Sequence, residues 1–372
     1  MKNSRKIILE DGSEFAGLSF GAQRDVICEI VFKTSMAGYQ EILSDPSYTG
    51  QAVVMSYPLI GSYGITDEDF ESRVIAPSAL IVRGINESPS NFRSVRTVGE
   101  LLEENGAAGL YGVDTRALVR KIRDVGTVKA LITGTDVPAR EGAALLAGTE
   151  LARDAVKRRS CMKKWYSRTS NPRFHVVAID CGMKTNILRM LNRNRCNVTI
   201  VPYDTGSGEI LSLAPDGVLI SNGPGDPQDV PETVRTLREL KGKVPMFGIC
   251  LGHQLLALAH GAGTYKLKFG HRGGNHPVKD LVTGRIEITS QNHSYAVDRE
   301  SLSGTGLAVS HINLLDGTVE GLVNDRDGIF SVQYHPESAP GPCDSHHLFR
   351  TFTERMERER ARRKQDAETY GY

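Results

Sequence analysis

The stretch Val244-Pro-Met-Phe-Gly-Ile-Cys250-Leu-Gly-His-Gln254 decides the fold class of this chain. Residues 244–249 are apolar, the pattern of a parallel strand covered on both faces. Residues 251–260 are rich in leucine and alanine and predict a helix. Cys250 therefore falls on the corner between strand and helix, with Gly248 before it and Gly252 after it. That is the elbow on which α/β folds present a nucleophile. The start of a helix offers free N–H groups and the positive end of a dipole. Both favour the thiolate, the reactive form of cysteine. The Leu251 N–H is placed to donate to an oxyanion.

A nucleophile of this kind needs a base, and the base needs an orienter. Gln333-Tyr-His335-Pro-Glu337 supplies both. On an extended segment, residues two apart point to the same side, so His335 and Glu337 pair as base and orienter. Pro336 restricts the backbone between them. His253, close after the nucleophile, is the weaker candidate base because no carboxylate accompanies it.

The surrounding sequence extends the same pattern. Residues 174–180, 197–202 and 217–221 read as strands, and 186–194 as a helix with Ile187, Leu188, Met190 and Leu191 on one face. Strand and helix alternate, which predicts an α/β fold with a mostly parallel, doubly wound sheet over 174–360. Shorter strands, some antiparallel, are expected at 286–289, 308–310 and 329–333. Residues 153–173, rich in Lys, Arg and Ser and containing Asn171-Pro172, read as a linker. Before it, 1–152 reads as a smaller mixed β/α domain. Its strands are expected at 6–9, 13–18 and 29–33, with a hairpin turn at Asp11-Gly12. Its helices are expected at 97–104 and 118–123. The charged tail, 361–372, continues a solvated helix with i,i+4 pairs such as Glu354 and Arg358.

Composition excludes several function classes. The 372 residues are 40% hydrophobic and 24% charged with net charge +1, so no global field points to nucleic acid or a membrane. Residues 1–10 lack the apolar core of a signal peptide, and no apolar run approaches a bilayer span. A cytoplasmic enzyme with reduced thiols is expected. Cys28, Cys161, Cys181, Cys196 and Cys343 form no C-x-x-C pair, which removes the usual zinc and redox motifs. His271, His276, His293, His346 and His347 show no metal-ligand spacing, so no metal is expected. Neither a Gly-x-x-x-x-Gly-Lys-Ser/Thr loop nor Gly-x-Gly-x-x-Gly occurs, so an ATP-driven step has no visible home here.

Gly248-Ile-Cys250-Leu-Gly-His-Gln254, His335-Pro-Glu337 and the earlier Ser221-Asn-Gly-Pro-Gly-Asp-Pro227 together resemble the class I (triad) glutamine amidotransferases. The resemblance implies hydrolysis of the glutamine side-chain amide through a Cys250 thioester, with His335 moving protons and Glu337 orienting it. It also implies a glutamine site made of Ser47, Gly223, Gly225, Leu251, Gln254, Asn292, Ser294 and Tyr295. Gly223 is the expected second oxyanion donor, and Gln254 lies one helical turn past Cys250. One departure stands out. The family shows glycine where Ser294 stands, and a position needing positive φ would strain a serine. Cys181 also replaces a more usual aromatic, a packing difference.

The N-terminal half narrows the resemblance. Phe32-Lys-Thr-Ser-Met-Ala-Gly-Tyr-Gln-Glu-Ile-Leu-Ser-Asp-Pro-Ser-Tyr48, Tyr57-Pro-Leu-Ile-Gly-Ser-Tyr-Gly64 and Val113-Asp-Thr-Arg-Ala-Leu-Val-Arg120 are similar to the small-subunit family of carbamoyl-phosphate synthetases. The resemblance runs over roughly 5–355. It implies a large-subunit partner that holds ATP and Mg and makes carbamoyl phosphate for arginine and pyrimidine synthesis. It implies no cofactor on this chain. The rival readings are an amidotransferase serving anthranilate or GMP synthesis, a free-standing γ-glutamyl hydrolase, and a regulatory protein with a decayed site. The N-terminal motifs oppose the first, and an intact Cys250, His335 and Glu337 oppose the last.

Overall fold

The structure, a computed structural model, describes residues 3–370. The chain divides into two compact units. The first runs to Ala155 and includes Lys268–Gly273; the second takes Val156–Leu267 and the residues from Gly274 onward.

Among the described residues, nine strands lie wholly within the first unit: β1 (Ser4–Leu9), β2 (Glu14–Gly21), β3 (Val26–Lys33), β4 (Gln51–Met55), β5 (Leu59–Ile60), β6 (Ala79–Ile81), β7 (Gly84–Ile85), β8 (Ala108–Tyr111) and β9 (Val128–Gly134). Seven of them close into a barrel in the order β1-β2-β8-β6-β4-β3-β9. The expectation of a smaller mixed β/α domain thus takes the specific form of a closed barrel with helices. Periodicity exposes the hairpin strands β1 and β2, but Ala79–Ile81 and Ala108–Tyr111 are too short to signal themselves. They become strands by pairing in parallel with each other and, through β6, with β4. Alternation then fills the barrel. Ile7, Ile30, Phe32, Ala52, Val54, Ala79, Ile81, Leu110 and Ile132 share one cluster, with Leu118 and Ile122 of the Thr115–Val125 helix. Val31, Val53 and Leu80, one position along, join the opposite cluster with Leu101 and Leu102 of the Val98–Glu104 helix. Thr97 caps that helix in a capping box with Glu100.

The second unit is built on a ten-stranded sheet. Its strands are β10 (Trp165–Ser167), β11 (Phe174–Asp180), β12 (Cys196–Pro202), β13 (Gly217–Ile220), β14 (Met246–Ile249), β15 (Thr264–Asp280), β16 (Ile286–Val297), β17 (Ala308–Asn313), β18 (Val319–Asn324) and β19 (Ile329–Val332). The order is β10-β12-β11-β13-β14-β19-β18-β17-β15-β16. The five strands from β12 to β19 are parallel, and the flanking pairs β10–β12, β18–β19, β17–β18 and β15–β17 are antiparallel. The parallel part is therefore half of the sheet and not most of it. Both faces of that half are covered. Val176, Ala178, Leu219 and Phe247 pack with Ile187 and Leu191 of the Thr185–Arg193 helix and with Phe349 and Phe352 of the His347–Tyr370 helix. Val177, Ile179, Val218 and Met246 pack with Leu237 and Leu255 of the Pro231–Leu240 and Leu251–Ala259 helices.

Two boundaries differ from the sequence reading. The expected linker carries a helix, Ala155–Arg159, and the strand β10, whose Trp165 pairs with Ile200 of β12. Val156 is buried in the sheet's core, so the basic segment is anchored by the few apolar residues within it. The tail beyond 360 is not a separate piece, because the His347–Tyr370 helix runs through it unbroken. Arg362 and Arg363 pair with Glu359 on its surface. The last two residues of the expected tail, 371 and 372, lie outside the described residues.

Candidate active site

Cys250 follows the last residue of β14 and precedes the first turn of the Leu251–Ala259 helix. Its backbone sits at φ 52°, ψ −101°, a positive-φ conformation rare for a residue with a side chain. The strain is held by two bonds: Cys250 N donates to Val332 O at 2.9 Å, and Cys250 O accepts from Gln254 N at 3.3 Å. The flanking glycines have a visible purpose. A Cβ on Gly252 would lie 2.3 Å from Ile220 O, and one on Gly248 would lie 2.6 Å from Gly252 O. Only bare backbone lets helix and strand approach this closely.

The sulfur lies in a polar cage. Cys250 Sγ donates to Asn292 O at 3.8 Å, and Gln333 Nε2 donates to the sulfur at 3.7 Å. His335 and Glu337 follow β19, and both are buried. Nδ1 of His335 lies 2.7 Å from Glu337 Oε1. A carboxylate only accepts, so Nδ1 carries the proton and Nε2 is left to exchange protons. Nε2 has no well-formed hydrogen bond among the described residues, yet Cys250 is close enough to support the charged ring both by its charge and by side-chain hydrogen bonding. Burial opposes charge on His335, but Glu337 and then Cys250 outweigh it and hold the imidazole's pKa up to about 10. Burial also opposes charge on Glu337, but Lys184 and then His335 hold it down to about 2.

Lys184 is a site residue that the sequence reading missed. It precedes the Thr185–Arg193 helix and is buried, with Nζ 3.0 Å from Glu337 Oε1. Nζ also donates to Ser338 O, Lys184 N donates to Asn222 Oδ1 at 3.1 Å, and Asn186 Nδ2 donates to Glu337 O. A lone lysine carries no motif, and its partner lies far along the chain, so no local signal reveals it.

The predicted glutamine-site residues fall in several places. Gly223 is packed against the elbow: a Cβ there would lie 2.2 Å from Cys181 O and 2.8 Å from Leu251 Cδ2. Gly225 takes φ 88° on the exposed side of the same loop. Leu251 supplies the first N–H of its helix, which has no intrahelical acceptor. Gln254 is buried and donates through Nε2 to Tyr295 O at 2.8 Å and to Gln333 Oε1 at 2.9 Å. Asn292, Ser294 and Tyr295 all lie on β16. Ser294 is not among the residues of positive φ, so the expected strain from replacing glycine does not arise. Ser47 belongs to the first unit, in the single turn Pro46–Tyr48, where its N–H donates to Asp45 Oδ1 at 2.9 Å. His253 is buried, bonded through Nδ1 to Ser331 Oγ at 2.9 Å, and burial pushes its pKa down to about 3. It stays neutral and packs against the sheet. Cys181 is buried, and burial pushes its thiol well up, away from reactivity.

Two family models match the chain. "Carbamoyl-phosphate synthase small chain, CPSase domain" matches residues 7–132, and "Glutamine amidotransferase class-I" matches residues 177–355. The carbamoyl phosphate synthase small chain of Bacillus caldolyticus is 55% identical over 348 residues, 94% of this chain and 95% of that one. The chain belongs to the carbamoyl phosphate synthase small chain family.

Other small chains are similar to a like degree. That of Chlorobaculum tepidum is 52% identical over 95% of this chain and 97% of its own. That of Listeria innocua serovar 6a is 50% identical over 95% and 96%. The first family match falls on the barrel, and the second on the unit that carries Cys250, His335 and Glu337. Among solved structures, a GMP synthase protein from Thermoplasma acidophilum aligns with 51% of this chain and 98% of its own, at TM-score 0.45 and 22% identity. No described helix is long and apolar enough to cross a membrane.

Proposed function

We propose that this chain is the glutaminase subunit of a glutamine-hydrolysing carbamoyl-phosphate synthetase, and that Cys250, His335 and Glu337 do its chemistry. The observation that carries this reading is the buried array on the elbow: a strained cysteine, an imidazole at its side, and a carboxylate 2.7 Å from that imidazole.

Cys250 passes its thiol proton to Nε2 of His335 as its sulfur attacks the glutamine amide carbon, and the C=O electron pair moves to oxygen. Leu251 N–H and Gly223 N–H receive that oxyanion; two such donors commonly supply about 3 kcal/mol or more each. His335, charged by that proton and supported in the charged form by Glu337, gives the Nε2 proton to the leaving nitrogen. Ammonia departs and a γ-glutamyl thioester remains. The now neutral His335 takes a proton from water, which attacks the thioester and releases glutamate. Ser47, Gly225, Gln254, Asn292, Ser294 and Tyr295 complete the proposed glutamine site, a role that rests on the family resemblance.

Free ammonia is protonated in neutral water, so its use calls for a sheltered route to a second site. The partner in this reading is the large subunit, which consumes the ammonia with bicarbonate and ATP for arginine and pyrimidine synthesis. ATP and Mg belong to that partner, and this chain needs no cofactor of its own. The six cysteines are all free, which supports a reducing, cytoplasmic setting.

The test is a glutaminase assay of wild type and Cys250→Ser, each with and without the large subunit. Wild type is expected to be weak alone and stimulated in the complex, with Cys250→Ser inactive in both. Equal low rates for the two proteins would sink the reading. A full rate without partner would favour a free-standing hydrolase. The N-terminal domain, 1–152, carries no catalytic motif and is the expected contact with the large subunit; large-subunit binding left intact in a pull-down by deletion of residues 1–150 would overturn that expectation.

A further inference from the structure

Gln333 lies two residues before His335 and is wholly buried. Its side chain touches the nucleophile: Nε2 lies 3.7 Å from Cys250 Sγ. Which end of an amide faces a neighbour is decided by its network, and here one backbone carbonyl decides it. Tyr295 O can only accept, so the Gln254 atom 2.8 Å from it is the nitrogen. The second N–H of that nitrogen reaches Gln333 at 2.9 Å, which must present its oxygen. The Gln333 nitrogen is then forced toward the sulfur.

We propose that Gln333 is a positioning residue for the nucleophile, donating an N–H to the Cys250 sulfur and strengthening that bond when the thiol loses its proton. The inference rests on the glutaminase reading above. It concerns two opposed contacts. The Asn292 carbonyl accepts from the S–H at 3.8 Å and favours the resting thiol. The Gln333 amide points the positive end of its dipole at the same atom and favours the charged form. A donor to an ionised acceptor gains more than a donor to a neutral one, and burial raises that difference. As the proton passes to His335 Nε2, the Asn292 contact is lost and the Gln333 contact shortens. The Gln333 oxygen meanwhile holds Gln254, a member of the glutamine site. One side chain thus ties the reacting sulfur to the substrate pocket.

The test uses the full chain bound to its large subunit. Gln333→Glu keeps the shape and the acceptor for Gln254 but puts oxygen where the N–H was. Gln333→Met keeps the volume and removes both bonds. Alkylation of Cys250 by iodoacetamide, read on its own peptide by mass spectrometry, is followed over about pH 5 to 9, where perturbed thiols ionise. The pH of half-maximal alkylation is expected to rise by about one unit in both variants, the scale of a lost charge-assisted bond. Gln333→Glu is expected to lose roughly tenfold in kcat with KM held, whereas Gln333→Met worsens both. If either variant fails to fold, Gln333→Asn withdraws the amide by one methylene and is expected to shift alkylation in the same direction. A wild-type alkylation profile in the folded variants overturns the proposal, even if Tm and kcat fall, because packing alone then explains the residue. Alkylation does not require turnover, so a wild type without glutaminase activity would refute the glutaminase reading and leave this measurement interpretable.

Discussion

Lys184 Nζ and Glu337 Oε1 lie 3.0 Å apart with both side chains out of water. His335 Nδ1 contacts the same carboxylate oxygen at 2.7 Å. The second oxygen of Glu337 has no hydrogen-bond partner. One oxygen thus bridges a permanent cation and the imidazole, and the carboxylate remains ionised in a site that opposes charge. The proposed triad thus has a lysine behind its carboxylate.

Removing the cation leaves the Glu337 carboxylate buried against His335. Lys184→Met is expected to destabilise by about 3 to 5 kcal/mol, the usual cost of breaking a buried pair from one side. Urea unfolding checks the number. The double variant Lys184→Met/Glu337→Gln is expected to lose less than the sum of the two singles, because it leaves no orphaned charge.

Glu337→Gln tests the orienter. An amide offers Nδ1 either a donor or an acceptor, so the imidazole is free to take the wrong tautomer. The glutaminase kcat is expected to fall by up to about 10⁴, the loss seen when a triad carboxylate becomes an amide. Steady-state kinetics in the complex measures this. A loss below about threefold would remove Glu337 from the mechanism.

The pKa shifts fix a stability window. Glu337 is held at about 2 in the fold, below its ordinary 4.5. Its contribution is present above about 4.5 and is lost as pH falls toward 2. His335 is held at about 10, above its ordinary 6.5, so its contribution is complete below 6.5 and fades as pH rises through 10. Denaturant midpoints are expected to decline at both ends. His335→Asn is expected to flatten the alkaline limb, and Glu337→Gln the acid limb.

Gly252→Ala tests the elbow. Its Cβ would meet Ile220 O at 2.3 Å, and backbone cannot yield as a side chain does. A loss of about 1 to 3 kcal/mol is expected from overpacking. The glutaminase rate is expected to fall further than stability, because the shift moves the first helical turn and with it the Leu251 N–H. Gly261→Ala is the control for helix-end glycines: its Cβ meets nothing within 4 Å, so only the strain of φ 89° is tested.

Much of the second unit was legible in advance, for a physical reason. Residues 174–180 were predicted as a strand, and β11 is Phe174–Asp180; buried parallel strands are continuous apolar runs that stand out in sequence. The elbow was legible because two glycines and a cysteine at fixed spacing have few other uses. His335 and Glu337 were legible as a pair by their two-residue spacing, although the chain turns there, with Ser338 N donating to His335 O at 3.2 Å, where an extended segment was expected. The barrel was not, because β6 and β8 are held by partners distant in sequence and by no local pattern. The 17-residue strand β15, interrupted by Gly270, Gly273, Gly274 and Pro277, also reads locally as loop.

The sequence by itself determined which cysteine, histidine and glutamate are proposed as nucleophile, base and orienter, and the alternation of strand and helix that brings a cysteine to a corner. These are encoded locally, by residue type and short-range period. Only the tertiary structure decided that Lys184 stands behind Glu337, that Gln333 faces the sulfur, and that Ser294 sits without strain on β16. Those facts depend on which distant segments share a buried volume, where a charge or amide without a partner is too costly to remain.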